Sequence, residues 1–367
     1  MGKVSITRID HGIKQGLSQA LELIGGLGRV IKPGDTVMLK PNLNGEEGCT
    51  DKRLVEFLIQ MLFDLNVKKV FIGESTFGNA RMTAMFFQKT GYASLAKRHG
   101  INLINLNESE PVETPVKNPL ILRNIRIARE VFETDKIVNL PNMKVHYATA
   151  VTLSLKNLKG LLVGDEKRRF HELGLDKAIV DLNNTIPVHL NIMDCISCME
   201  KMGPRGGEIV PLGLIMAGED RAEMDYIGCK IMGYELSEVN HLRYFVEMNR
   251  IDLTRIEALG ERLEEVKHPF KKVSLEDIIP REFTIHNKNA CSACMNAFLL
   301  SCRFLEGKLK ENIDVFLGSL VEEEDISSGL KLAFGNCCPP DLSCDMRIRG
   351  CPPYPFDLKD CLKEKIV

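Results

Sequence analysis

The chain has 367 residues, 44% hydrophobic and 27% charged, which is the composition of an ordinary globular protein. Its formal charge is −2, from 48 basic and 50 acidic residues, which excludes a globally basic nucleic-acid binder and a polyanionic tail protein. No apolar run approaches the ~20 residues of a membrane helix and the N-terminus has no signal-peptide pattern, so a cytoplasmic protein without membrane insertion is expected.

Trp is absent and aromatic residues make up only 6%, which speaks against a nucleobase-stacking platform. Taken in chain order, Thr36–Lys40 reads as a short buried strand after the turn signal Pro33-Gly-Asp35. Leu54–Leu65 repeats apolar residues at helical spacing. Lys69–Gly73 is a second strand, Met82–Lys97 a helix, and Ile101–Leu106 and Lys136–Leu140 further strands. Val188–Met193 and Ile209–Ala217 continue the strand series, and Arg221–Met232 is a helix. Short apolar runs alternating with helices predict an α/β fold with a mostly parallel sheet covered by helices on both faces.

Composition changes near residue 260. The charged stretch Glu261–Lys272 contains His268-Pro269 and reads as linker. The expected division is an α/β domain over 1–260, a linker over 261–282, and a small cysteine-rich α+β module over 283–367. Within the module the pattern predicts a helix from about Met295 to Lys308 and strands at Ile313–Leu317 and Lys331–Phe334.

Of the twelve cysteines, eight follow residue 290: Cys291, Cys294, Cys302, Cys337, Cys338, Cys344, Cys351 and Cys361. Clustered cysteines in a reducing compartment point to metal or redox chemistry rather than disulfides. Cys291-Ser-Ala-Cys294 lets two thiolates face one centre, and a helix start there favours the thiolate form. Gly350-Cys351-Pro352-Pro353 matches the Cys-Pro ending of an iron–sulfur ligand set. The expected ligands are Cys291, Cys294, Cys337 and Cys351, holding a 4Fe–4S cluster, with zinc as the alternative metal. Cys302 lies two turns beyond Cys294 and reads as a core thiol. Cys338 and Cys344 remain alternatives to Cys337. Cys195-Ile-Ser-Cys198 is a second pair, read as packing in preference to a redox pair.

Three further segments carry a family resemblance. Lys40-Pro-Asn42, Asp135–His146 and Thr152–Gly160, followed by Asp194, Met199-Glu200, Gly203-Pro204 and Ala217-Gly218, resemble the family known as domain of unknown function 362. The likeness spans roughly residues 35–235. It implies that an iron–sulfur module often accompanies the domain; here the module has the C-terminal form. The resemblance itself names no reaction.

The residues have their own reading. In a parallel sheet, C-terminal strand ends form the ligand crevice. Lys40 and Asn42, Glu74, and Lys144 and His146 all follow strand ends, so they should converge. Lys156 and Asn157 lie in an otherwise apolar segment, where an ammonium needs a partner or an anion. Lys167 adds positive charge, although Lys167-Arg168-Arg169 also fits a solvated helix face. This set suits a small anionic substrate. His146, His171 or Glu200 would move protons. The expectation is an iron–sulfur enzyme, redox or Lewis-acid, with a non-enzymatic electron carrier serving a redox partner protein and a zinc-stabilised binding module as alternatives. Neither glycine-rich stretch, Gly25–Gly28 or Gly160–Lys167, has nucleotide-binding spacing.

Overall fold

The computed structural model describes residues 2–305, 307, 309–322 and 329–365. The chain divides into two units, Met1–Phe170 with Asp176–Val273, and His171–Leu175 with Ser274–Val367.

Among the described residues, unit 1 contains thirteen strands: β1 (Lys3–Arg8), β2 (Thr36–Pro41), β3 (Lys69–Glu74), β4 (Asn102–Asn105), β5 (Pro111–Pro115), β6 (Asn124–Ala128), β7 (Lys136–Leu140), β8 (Asn142–His146), β9 (Ala150–Thr152), β10 (Leu190–Glu200), β11 (Glu208–Val210), β12 (Leu214–Gly218) and β13 (Glu257–Gly260). The main sheet runs β13-β1-β12-β10-β7-β2-β3-β4. β12 is antiparallel to both neighbours and every other pair along this path is parallel. The mostly parallel sheet is therefore as the sequence predicts. β2 and β3 are buried on both faces, which explains why they read as continuous apolar runs rather than alternating ones.

Helix Lys52–Asp64 begins at Asp51, whose carboxylate accepts the Arg53 N–H, and it buries Leu54, Val55, Leu58, Ile59 and Leu62 on one face. The helix expected over 82–97 is two helices, Ala80–Lys89 and Tyr92–His99, parted at Gly91. Gly91 takes a left-handed φ of 81°, which stops the first helix. The strand expected over 209–217 is also divided, because Pro211 and Gly213 fall between β11 and β12.

The segment expected as linker is not free along its first half. Phe270 and Val266 are buried, and Phe270 N–H donates to Met232 O at 2.9 Å. The boundary between units falls after Val273.

Unit 2 carries β14 (Phe283–Asn287), β15 (Ile313–Leu317), β16 (Leu330–Phe334) and β17 (Met346–Ile348), side by side in that order. All three pairings are parallel. The expected α+β module is thus corrected to a parallel α/β unit. Parallel neighbours require a crossover, and helix Ser292–Arg303 lies between β14 and β15. The end expected for that helix, Lys308, lies outside the described residues. Phe298, Cys302, Val315, Leu317, Leu332 and Phe334 pack one face of this sheet. Phe316, Ala333, Cys338 and Leu342 pack the other.

No helix among the described residues is long and apolar enough to cross a membrane.

One buried carboxylate fastens an irregular stretch of unit 1. Asp181 accepts from the N–H groups of Leu120, Ile121 and Leu122 at 2.7, 2.9 and 2.7 Å. Asp181→Ala strands those donors and should destabilise the protein by about 3 kcal/mol in urea unfolding. A loss under about 1 kcal/mol would show that water replaces the carboxylate.

Candidate functional site

The C-terminal ends of β2, β3 and β7 bring Lys40, Glu74 and Asn139 side by side in the sheet order. Lys40 is wholly buried, and its Nζ lies 2.6 Å from Glu74 Oε2 and donates to Pro41 O at 2.8 Å. Burial works against both charges, lowering the Lys40 pKa and raising that of Glu74, and their mutual attraction offsets part of it. Ser75 N–H donates to Glu74 Oε1 at 2.7 Å. Lys167 Nζ donates to Ser75 Oγ and, at 3.0 Å, to Leu162 O. Lys167 is 5% exposed, so the solvated-face reading of this residue is corrected: the carbonyls and hydroxyl around it replace water.

A run of amides extends from the same point. Lys144 Nζ donates to Asn42 Oδ1 at 2.7 Å and to Gly48 O. Asn42 Nδ2 donates to Asn157 Oδ1 at 2.9 Å. Asn157 Nδ2 donates to Asn139 Oδ1 at 2.8 Å and to Lys40 O at 3.1 Å. Asn139 Nδ2 reaches Asn191 Oδ1 at 2.9 Å. Each member is buried, so the run is a chain of fixed dipoles joining the two lysines.

Gly160 is required here. A Cβ at this position would stand 1.9 Å from Glu74 Oε1 and 2.5 Å from Lys40 Nζ. Its absence lets the backbone close on the ion pair.

Positive charge exceeds negative charge in this region. Burial lowers the pKa of Lys144 to about 8, of Lys159 to about 7 and of Lys167 to about 7. Burial also lowers Lys156 well below the ordinary lysine value. Against them stand Glu74 and Asp194, the latter raised by burial to about 6. A bound oxyanion would relieve the lysines by supplying acceptors and opposite charge.

The sequence-derived set is therefore only partly brought together. Lys40, Asn42, Glu74, Lys144, Asn157 and Lys167 form the network described above. Lys156 is adjacent but outside it, donating to Thr152 Oγ1 at 3.1 Å. His146 is buried, and its Nδ1 accepts the Ala148 N–H at 3.0 Å. Glu200 accepts the Lys271 N–H at 2.8 Å and anchors that segment to the end of β10. His171 belongs to unit 2, where its Nδ1 is 2.6 Å from Ser292 Oγ. Sequence reasoning missed Asn139, Asn191 and Lys159. A polar residue within the apolar runs Lys136–Leu140 and Val188–Met193 was the available signal.

In unit 2 the cysteines follow strand ends. Cys291 comes after β14, Cys337 after β16 and Cys351 after β17. Cys291 is the N-cap of helix Ser292–Arg303, and hydrogen bonds from Cys294 and the first helical amides lower its pKa to about 6. The hydrogen bond with Cys291 and burial raise the Cys294 pKa, and the charges of Cys291, Cys337 and Cys351 act in the same direction. A Cβ on Gly335 would stand 3.3 Å from Cys294 Sγ, so a glycine keeps the end of β16 open beside that sulfur. Asn336 N–H donates to Gly350 O, and Gly350 N–H to Asn336 Oδ1, at 2.9 and 2.8 Å, tying the two cysteine loops together. Cys338 turns the other way, its Sγ 3.2 Å from Phe316 O, and Cys344 packs in the same apolar cluster. Cys302 is buried in the opposite core, and Cys195 and Cys198 are buried in unit 1. Among the described residues no three His, Cys, Asp or Glu side chains are spaced for a single metal ion.

Two outcomes are expected. Lysines with depressed folded-state values bind fewer protons than in the unfolded chain, so their contribution to stability rises with pH from about 7 toward about 10.5. Lys167→Met should flatten that rise in denaturation followed across pH 6.5–9; an unchanged slope would show that Lys167 stays charged. Gly160→Ala should cost about 2–3 kcal/mol, by forcing Glu74 from Lys40. Wild-type stability in that variant would mean the ion pair tolerates displacement.

Comparison with known proteins places the chain. A thylakoid-associated protein, sll1697, of Synechocystis sp. is 30% identical over 223 residues, covering 58% of this chain and 67% of that protein. Among solved structures, the lactate racemase apoprotein of Thermoanaerobacterium thermosaccharolyticum aligns with a TM-score of 0.44 at 12% identity, over 86% of this chain and 69% of that one. A Thermotoga maritima protein aligns with a TM-score of 0.41 at 14% identity, over 83% and 70%. The family model described as a domain of unknown function, DUF362, matches residues 37–230, more than half of the sequence, and the chain belongs to that family.

Proposed function

We propose that this protein is an iron–sulfur protein that acts on a small anionic metabolite, with the cluster on unit 2 and the anion on the lysines of unit 1. The carrying observation is the placement of Cys291, Cys337 and Cys351 after three parallel strands, with Cys294 in electrostatic reach of all of them. Four thiol donors and the Gly-Cys-Pro-Pro ending at Cys351 favour a 4Fe–4S cluster over zinc. When bound, the cluster supplies one-electron chemistry or, with an open iron, a Lewis acid.

The protein's own residues divide the work. Cys291, Cys294, Cys337 and Cys351 would hold the cluster. The helix start at Cys291 favours the thiolate, and Gly335 leaves room beside Cys294. On unit 1, Lys144 and Lys167 would bind and orient the anion. Asn42, Asn157 and Asn139 keep Lys144 fixed relative to Lys40. Exclusion of water strengthens each of these contacts.

Anaerobically purified protein should contain about four iron and four sulfide per chain, with an electron paramagnetic resonance signal on reduction. Cys351→Ser should lower iron content severalfold, whereas Cys302→Ser should leave it unchanged. Absence of iron and sulfide in the wild type, or equal iron in both variants, would overturn the cluster. Small carboxylates should raise the melting temperature of wild type and not of Lys144→Met.

A further inference from the structure

Three helices, Ser154–Asn157, Leu175–Asn183 and Asn240–Asn249, are tied together by side-chain bonds, and Lys156 lies within electrostatic reach of Asp176 and His241. Asn183 Nδ2 donates to Leu155 O at 2.9 Å, fixing the second helix to the first. His241 Nδ1 lies 3.2 Å from Asp176 Oδ1, fixing the third to the second. His241 is 0% exposed, yet its Nε2 has no hydrogen-bond partner among the described residues. A buried polar atom without a partner is costly, so it calls for a function. Lys156 is in a similar position: its ammonium is buried, and Thr152 Oγ1 at 3.1 Å is the acceptor it reaches among the described residues. Asn183 Oδ1, on the second helix, is also buried without a partner among the described residues.

From this juxtaposition we infer that Lys156 and His241 together bind a small oxyanion, with the imidazole as its proton-bearing partner and Asp176 as the residue that positions the ring. The inference deepens the anion-binding reading above and rests on it. The Asp176 carboxylate accepts Nδ1–H, which leaves Nε2 as the nitrogen that takes up or gives a proton. An oxyanion supplies acceptors for the Lys156 ammonium and for Nε2–H of the imidazolium. The proton balance is simple: the free site holds a neutral imidazole near pH 7.5, and the bound site holds an imidazolium, the proton coming from solvent.

The charged groups acting on His241 are Asp176, which favours the imidazolium, and Lys156, which opposes it; burial opposes it most strongly. Lys156, lowered by burial, takes up a further fraction of a proton when an anion binds.

Sulfate is a suitable probe, because it stays doubly charged across the working range. Isothermal titration of the full-length protein with sulfate, in buffers of different ionisation enthalpy at pH 7.5, reads proton uptake directly. Wild type should bind sulfate with net uptake, and binding should weaken toward about tenfold per pH unit at higher pH. His241→Gln should bind at least tenfold more weakly and lose most of the uptake. Asp176→Asn, at a partly exposed position that tolerates an amide, should bind severalfold more weakly with reduced uptake. Unchanged affinity and uptake in both variants would overturn the role of His241 while leaving anion binding intact. A wild type that binds no sulfate would overturn the anion reading and this inference together.

Discussion

Much of unit 1 is arranged around the difficulty of keeping ammonium groups out of water. An isolated buried lysine is expensive, and a chain either neutralises it or surrounds it with acceptors. Here Lys40 has a carboxylate, whereas Lys144 and Lys167 have mainly amide, carbonyl and hydroxyl oxygens. The acceptors come from distant parts of the chain: Asn42, Gly48, Ser75 and Leu162. Parallel strands make this possible, because they deliver their C-terminal ends to one edge. The sheet therefore does more than form a core; it collects the oxygens that keep the cations buried.

That dependence explains why local backbone features are so specific near the network. Gly160 leaves space for Glu74 and Lys40 to meet. Asp225 accepts the N–H groups of Ser154 and Leu155 at 2.6 and 2.9 Å, and so fixes the start of the segment that carries Lys156 and Asn157. Burial raises the pKa of Asp225 to about 7, so this anchor is itself held against the cost of desolvation.

The parallel sheet, the strands at 36–40, 69–73, 136–140 and 313–317, and the helix at 221–232 were legible because apolar runs bounded by turn residues report burial directly. Lys40, Asn42, Glu74 and Lys144 were legible because strand ends in a parallel sheet share an edge. What escaped was of two kinds. Asn139 and Asn191 are single polar residues within apolar runs, and their importance appears only when cross-strand partners are known. His241 resembles any amphipathic-helix histidine in the sequence; the bond to Asp176 and the vacant second nitrogen come from tertiary packing.

The all-parallel order of β14 to β17 has an evolutionary consequence. Because each strand must be re-entered from the same side, whole excursions of chain separate one cysteine loop from the next. Those excursions can lengthen or shrink without disturbing the rim where the sulfur-bearing loops emerge. The few residues between Phe334 and Cys337, and between Ile348 and Cys351, have no such freedom. Homologues should therefore vary widely in the gaps between cysteine motifs while keeping the steps from strand to sulfur constant, so motif searches written with fixed long spacings would overlook them.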